Sequence, residues 1–365
     1  MILIGTDEGI YRWFEGCGWP VFHSLQDRAV VDLDSPGAGI LAAVDRNGVV
    51  LESVNNGQDW RTIPLPEGAG RPSALAVWGT PGVLVLATRP LGLLSRPVGA
   101  PAPRPEPMAP HERAGSVRAL FSRAWTAAAM RLRRRAPQVD LTTSGWSRLR
   151  VPDLTGVAAV PDPAIRALSL GTGESAPWLA AIRGAGLWRS VDRGTSWQQC
   201  LGLPAGVNAV RTNPKRPGTL AAATSGGFWI SGDDGRTWEQ RSGGLEDAPY
   251  LSTVDVRPDE PDVLMAGAAP RAPGSTGVAT EDGLGFALFE STDGGKSWSL
   301  VRRGIPESFG HDAITDVRFD PDAPDNIVVA LASGELWVSR NAGAYFGPLA
   351  RQIRAARALC AVGSG

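Results

Sequence analysis

The sequence predicts an all-β fold: a seven-bladed β-propeller of four-stranded antiparallel blades, closed by pairing of the C-terminal strand with the N-terminal strands. Three observations predict it. An eight-residue turn motif recurs along the 365 residues, short apolar strands separated by Gly- and Pro-containing turns flank its copies, and the two chain ends look like complementary parts of one unit. Because stacked repeats share one core, residues 1–365 are treated as a single domain.

The turn motif has the pattern S-x-D/N-x-G-x-S/T-aromatic and is clearest in residues 231–238. An Asp or Asn side chain can bond the amides of its own turn, Gly supplies positive φ, and the aromatic residue adds apolar area. Three clear copies are defined by Ser190, Asp192, Gly194, Trp197, Ser231, Asp233, Gly235, Trp238, Ser291, Asp293, Gly295 and Trp298. Residues 53–60 and 339–346 form degenerate copies. We interpret these aspartates as turn residues, with neither a catalytic nor a calcium-binding role.

This motif resembles the Asp-box, or BNR repeat, of sialidases, sortilin-type receptors, some glycoside hydrolases and photosystem II assembly factors. The resemblance implies a propeller in which each copy lies between the third and fourth strands of a blade. It implies no activity, because that superfamily contains both enzymes and pure binders. In repeat style and size the chain is most similar to the photosystem II assembly-factor propellers.

Six complete units follow one another, at residues 29–65, 73–151, 165–203, 207–245, 250–305 and 313–349. Residues 207–240 show the four-strand template well, with Gly226 and Gly227 in the second turn. The first strand-like segment, residues 2–6, matches the second strand of a unit, and residues 353–362 match a first strand. The chain end therefore completes the first blade and brings the count to seven.

A Pro- and Arg-rich insertion, residues 98–141, lies between strands three and four of the second complete unit. Its Pro-rich start, residues 101–107, suits a stiff arm, and periodicity predicts an amphipathic helix over residues 111–135. Eight Arg and two Glu give residues 101–139 a net charge of +6. Its candidate partner-binding residues are Phe121, Trp125, Arg131, Arg133, Arg134 and Arg135. The helix either docks on its own propeller or binds a partner, for which protein is favoured over nucleic acid or an anionic membrane.

A second insertion, residues 268–285, joins strands two and three of the fifth unit and carries Glu281 and Asp282. Blade topology places it over the channel mouth on the face opposite the turn motifs. Arg211 and Arg318 occupy the same position of two innermost strands, and Asp255 occupies it in a third. These five residues are the candidate channel and mouth site, either as a mutually neutralised lining or as a ligand site.

The composition excludes several classes of function. A formal net charge of −1 argues against a general polyanion binder, and Cys17, Cys200 and Cys360 show no metal-ligand spacing. We predict no metal and no cofactor, and a reducing cytoplasmic location because no signal peptide or membrane span is visible.

We therefore predict a non-enzymatic protein-interaction or assembly scaffold with no catalytic residue. The alternatives are a glycan-active hydrolase using carboxylates such as Asp255, Glu281, Asp282 or Asp312, and a lectin-like propeller that binds carbohydrate. A sialidase is disfavoured because the F/Y-R-I-P motif that the resemblance would require is absent and the chain has only three tyrosines.

Overall fold

The computed structural model describes the chain except for residues 15, 19, 101–144, 158–159, 161, 172–175, 214, 274–284, 311, 351–352, 354–355 and 364–365. The described residues form an all-β fold of seven four-stranded antiparallel sheets arranged as a propeller. They include no helix, and so none long and apolar enough to cross a membrane. The helix predicted over residues 111–135 and the acidic pair Glu281 and Asp282 lie outside the described residues.

The strands follow the chain blade by blade. Blade 1 contains β1 (Ile2–Thr6), β2 (Gly9–Trp13) and β3 (Val21–Ser24). Blade 2 contains β4 (Val30–Gly37), β5 (Ile40–Asp45), β6 (Val50–Ser53) and β7 (Arg61–Ile63). Blade 3 contains β8 (Arg71–Trp78), β9 (Val83–Arg89), β10 (Gly92–Pro97) and β11 (Ser147–Arg148). Blade 4 contains β12 (Ile165–Leu170), β13 (Trp178–Ile182), β14 (Gly186–Ser190) and β15 (Gln198–Gln199).

Blade 5 contains β16 (Val207–Thr212), β17 (Leu220–Thr224), β18 (Gly227–Ser231) and β19 (Glu239–Gln240). Blade 6 contains β20 (Tyr250–Val256), β21 (Leu264–Ala269), β22 (Ala287–Ser291) and β23 (Ser299–Leu300). Blade 7 contains β24 (Ile314–Phe319), β25 (Ile327–Leu331), β26 (Leu336–Ser339) and β27 (Gly347–Ala350). The last strand, β28 (Ala358–Ala361), returns to blade 1.

The second strands of the blades carry the core. Every residue of β13, β17, β21 and β25 is buried. Both faces of such a strand pack against neighbouring blades, which explains why their sequences are continuous apolar runs rather than alternating ones. One core cluster joins blades 5 and 6 through Phe228, Leu264 and Trp298, and the Phe228 and Trp298 rings meet edge to face.

The ring closes at blade 1. β28 pairs antiparallel with β1, with Leu3 opposite Cys360 and Ile4 opposite Leu359. Leu359 and Cys360 are buried. The predicted closure, with the C-terminal strand supplying the innermost strand of the first blade, is confirmed. Without β28, β1 would be the edge strand of a three-stranded first blade.

A β-bulge interrupts the innermost strand of six blades at an equivalent position. The extra residues are Val31, Ser73, Arg166, Asn208, Ser252 and Thr315. Two of them bond the next blade: Asn208 Nδ2 donates to Leu251 O (2.7 Å) and Ser252 Oγ donates to Ile314 O (2.6 Å). The bulges therefore link neighbouring innermost strands, and simple period-2 alternation does not reveal them.

Candidate functional site

The central channel encloses a cavity of about 230 Å³ that is lined by the innermost strands. Charged side chains from blades 2, 5 and 7 line it, and Asp255 of blade 6 joins them through its ion pairs. They are Asp32, Asp34, Arg211, Asp255, Asp316 and Arg318, and the cavity mouth also has Arg166 and Arg357. Asp32 and Asp34, like Asp316 and Arg318, are two residues apart, so both members of each pair project to the same face of their strand.

The two arginines are held between the same two carboxylates. Arg211 lies 3.6 Å from Asp255 and 3.3 Å from Asp316, measured from its Nε and one terminal nitrogen respectively. Arg318 lies 3.8 Å from Asp255 and 3.1 Å from Asp316 through its terminal nitrogens. The structure thus brings Arg211, Asp255 and Arg318 together, as the shared strand position predicts, and adds Asp316.

The channel carboxylates also tie neighbouring blades together. Asp255 in blade 6 accepts a bond from Phe319 N in blade 7 (2.9 Å). In blade 2, Asp32 accepts from Leu75 N of blade 3 (2.9 Å). Asp34, two residues further along β4, likewise accepts from Val77 N of blade 3 (2.7 Å). Asp316 bonds Thr253 Oγ1 of blade 6 (3.0 Å). Each of these carboxylates therefore links two blades in addition to any ion pair.

Burial perturbs the acidity of these groups. It raises the pKa of Asp32 to about 7, with the nearby Asp34 carboxylate adding to the shift. Burial likewise raises the pKa of Asp34 and of Asp255. Burial opposes the charge of Arg318 as well, but the carboxylates of Asp316 and Asp255 outweigh it and raise the pKa of this arginine. The channel is thus a charge network set in the wall of the fold.

The turn motif of blade 5 forms a closed set of short-range bonds. Ser231 Oγ donates to Asp233 Oδ1 (2.8 Å) and accepts from Gly235 N (2.8 Å). Thr237 donates its N–H (2.9 Å) and its hydroxyl (2.6 Å) to the Asp233 carboxylate. These bonds, the Thr237 hydroxyl first, lower the pKa of Asp233 to about 2. Gly235 has φ of 80°, and Trp238 Nε1 donates to its carbonyl.

The same Ser–Asp or Ser–Asn bond recurs in four other blades. The pairs are Ser190 with Asp192, Ser291 with Asp293, Ser53 with Asn55 and Ser339 with Asn341. In each copy the serine also accepts the N–H of the motif glycine, Gly194, Gly295, Gly57 or Gly343. Trp298 Nε1 donates to Gly295 O, whereas Trp197 Nε1 reaches Arg150 O in blade 3. The aspartate carboxylates of these turns are hydrogen-bonded within their own loops.

Blade 3 replaces the turn motif. Arg96 occupies the position of the motif serine. It pairs with Leu84 across β9 and β10, as Ser231 pairs with Leu220 across β17 and β18 in blade 5. The Arg96 side chain is fully buried and donates to Ala100 O (2.7 Å). An arginine at the serine position therefore holds the chain where it leaves β10.

Other residues singled out in the sequence have separate environments. Asp312 is half-buried, accepts Ser333 N (3.0 Å) and does not line the channel cavity. The candidate partner-binding residues Phe121, Trp125, Arg131, Arg133, Arg134 and Arg135 lie outside the described residues. No group of three or more His, Cys, Asp or Glu side chains in the described part of the chain is arranged to bind a metal.

Sequence reasoning missed Asp32, Asp34 and Asp316. The available signal was the Asp-x-Asp spacing in β4 and the Asp-x-Arg spacing in β24, each of which directs two charges to one strand face. Asp34 also occupies the strand position shared by Arg211, Asp255 and Arg318, so the same alignment could have identified it.

Comparison with known proteins supports the fold. No protein-family model matches the chain, and no curated protein matches it. The solved structure of YCF48 bound to a D1 peptide matches with a TM-score of 0.55 and 15% identity, over 93% of this chain and 88% of that one. A GH74 xyloglucanase from Xanthomonas campestris matches with a TM-score of 0.59 and 17% identity, over 88% of this chain and 45% of that one.

A GH74 enzyme from Niastella koreensis gives the same TM-score of 0.59 at 13% identity, over 98% of this chain and 51% of that one. The chain therefore spans about half the length of these GH74 enzymes. Sequence identities this low show that the propeller fold is shared, and they carry no information about activity.

Proposed function

We propose that this propeller is a non-enzymatic scaffold that binds a protein partner. The observation that carries the proposal is the commitment of the channel carboxylates to the fold. Asp255 and Asp316 share two arginines, and Asp32 and Asp34 accept backbone N–H groups of the next blade. A charge network of this kind stabilises a ring, and the arginines and N–H groups that hold these carboxylates favour a structural role over proton transfer to a substrate.

The strongest case for a hydrolase is Asp32, because a carboxyl with a pKa of about 7 would suit a general acid. Both of its oxygens are already hydrogen-bond acceptors, from Leu33 N (3.0 Å) and Leu75 N (2.9 Å). A glycosidase also needs a second carboxylate facing it across the scissile bond, at roughly 5–9.5 Å. Asp34 is the nearby carboxylate on the same strand, and it is likewise linked to blade 3, because one of its oxygens accepts from Val77 N.

Two comparisons bear on the choice. YCF48, which has a peptide bound in its structure, supports a propeller that recognises a protein segment, and the GH74 propellers support a glycan-active one. We favour the first for this chain because of the channel network. A lectin-like role is the remaining alternative. The cytoplasmic location stays a prediction from the sequence, as does partner binding by the basic segment, residues 98–141.

The test is reciprocal co-purification of the full chain. The tagged protein should recover a specific protein, identified by mass spectrometry. That protein, tagged in turn and purified, should recover the propeller in near-equimolar amount by size-exclusion chromatography. Failure of every recovered protein to bind in the reciprocal direction would contradict the proposal.

A further inference from the structure

Blade 3 carries a second cleft, of about 530 Å³, well away from the channel charges. It lies where the turn between β9 and β10 meets the chain that continues from β11. Its lining is Gly68, Ala69, Thr88, Pro90, Leu91, Gly92, Leu93, Leu94, Arg148, Leu149, Arg150 and Val151. We call this the blade-3 cleft.

The charge of the blade-3 cleft is entirely positive. Arg148 and Arg150 are exposed, and neither guanidinium has a carboxylate within ion-pair distance among the described residues. No acidic residue lines the cleft, although Glu67 and Asp153 are close in sequence to its lining. Arg357 at the channel mouth, by contrast, is paired with Asp7. The unpaired arginines of the cleft are available to a ligand.

The two arginines share one side of an extended segment. Arg148 pairs with Leu94 across β10 and β11, and Leu149 N continues the ladder to Leu93 O (3.0 Å). Residues two apart in such a segment project to the same face, about 7 Å apart. The backbone at Arg150 is fixed because its carbonyl accepts Trp197 Nε1 (2.8 Å). Two cations are thus held at the spacing of alternate side chains in an extended peptide.

Apart from Thr88, the rest of the lining consists of glycine, alanine, proline, leucine and valine, with no aromatic residue. Leu91 and Leu149 are partly buried, and Val151 has 38% of its surface exposed. An apolar floor suits aliphatic side chains. Nucleic acid is disfavoured because no aromatic platform for bases lines the cleft. Among the described residues, β11 is the last strand of its sheet and pairs with β10.

From this geometry we infer that the blade-3 cleft binds an extended acidic segment of the partner protein, with alternate carboxylates on Arg148 and Arg150 and aliphatic side chains on the apolar floor. The inference rests on the proposed function and assigns the partner's docking site. It places recognition at the rim of the ring, where charge complementarity sets specificity.

The probe is a synthetic fluorescein-labelled peptide, Ser-Val-Glu-Val-Glu-Val-Glu-Ser, titrated with the full chain and followed by fluorescence anisotropy at low salt. Matched peptides carry Gln or Lys in place of Glu. The Glu peptide should bind at least about tenfold more tightly than either, because only it supplies carboxylates to the two arginines. Equal binding of the Gln peptide, or no binding of the Glu peptide, would overturn the inference.

The Arg148→Glu/Arg150→Glu double variant should weaken binding of the Glu peptide by about tenfold or more. The control is Arg236→Glu/Lys296→Glu, which makes the same charge change at exposed turn positions of blades 5 and 6. It should bind like the wild type, and equal loss in both variants would reduce the effect to net charge. Val151→Asp, at an exposed position, should also weaken binding. Circular dichroism melts check that each variant is folded.

A second arm distinguishes sources of negative charge. Phosphatidylserine vesicles that displace the Glu peptide from the wild type, and fail to bind the double variant, would assign the cleft to membranes and overturn the peptide inference. If the double variant still recovers the reciprocally purified partner, the proposed function stands and the docking site is elsewhere. If no partner survives reciprocal purification, the scaffold proposal itself fails.

Discussion

Replacing Arg318 by Gln tests whether the channel network holds the ring together. The arginine sits 3.1 Å from Asp316 and 3.8 Å from Asp255, and its side chain is 19% exposed. With an effective dielectric constant near 20, each contact at such a distance is a gross attraction of about 4–5 kcal/mol, which desolvation offsets in part. Breaking a buried pair by removing one partner typically costs about 3–5 kcal/mol. Because some channel water reaches this side chain, we expect about 3 kcal/mol.

The assay is urea unfolding at pH 7.5 followed by tryptophan fluorescence, with the free energy of unfolding taken from midpoint and slope. Arg302→Gln is the matched control, because Arg302 pairs with Glu307 at 3.4 Å while both side chains are about two-thirds exposed. Such a surface pair contributes at most about 1 kcal/mol. Adding Asp316→Asn to Arg318→Gln should recover part of the loss, since Arg211 would then face one carboxylate, Asp255, instead of two.

The reasoning would be refuted if Arg318→Gln unfolded at the wild-type urea concentration, or lost no more stability than Arg302→Gln. The channel arginines would then be dispensable to the fold, and a ligand role for the channel would become the better explanation of their arrangement.

Three further predictions follow from single residues. Gly295→Ala should lower the free energy of unfolding in urea by about 2–4 kcal/mol, because φ there is 83° and an added Cβ would strike the ring of Phe228 in blade 5. Gly232→Ala is the control and should change it little, because there is open space around Gly232. The Asp32 carboxyl should titrate near pH 7 by carbon NMR, and a midpoint near 4 would contradict this. Its contribution to the free energy of unfolding should fall as pH rises from about 4 to 7, because the folded state holds this proton more tightly than the unfolded state does. Cys17, partly exposed, should react with a thiol reagent far faster than Cys200, whose pKa burial raises to about 11; equal rates would contradict the burial.

The fold could be predicted from the sequence because five of the seven blades carry two local signals. The motif around Asp233 marks a turn through its own local bonds, and the apolar run of β17 marks a buried second strand. Both signals depend on residues close together in sequence, so they can be recognised without knowing the tertiary structure. The closure was accessible for the same reason: the residues around Leu359 repeat the pattern of other innermost strands.

Only part of the candidate site could be predicted from the sequence. Arg211, Asp255 and Arg318 share a strand position, and that alignment alone predicts that they meet. Asp32 and Asp316 were missed because each lies directly after the bulge residue, two residues before the strand position that Arg211, Asp255 and Arg318 share. Bulges depend on how neighbouring innermost strands bond one another, which no local pattern in one strand records. The blade-3 cleft was missed for a related reason: it joins residues from three separate segments of the chain.

The most direct test of the central claim, that the channel charges stabilise the ring and perform no chemistry, is release of reducing sugar from xyloglucan and other β-glucans between pH 4 and 9. The account predicts that the wild type gives no more release than buffer, and the same trace as a folded Asp255→Asn variant. Release above the buffer level that the Asp255→Asn variant loses would contradict it, and would make the channel an active site.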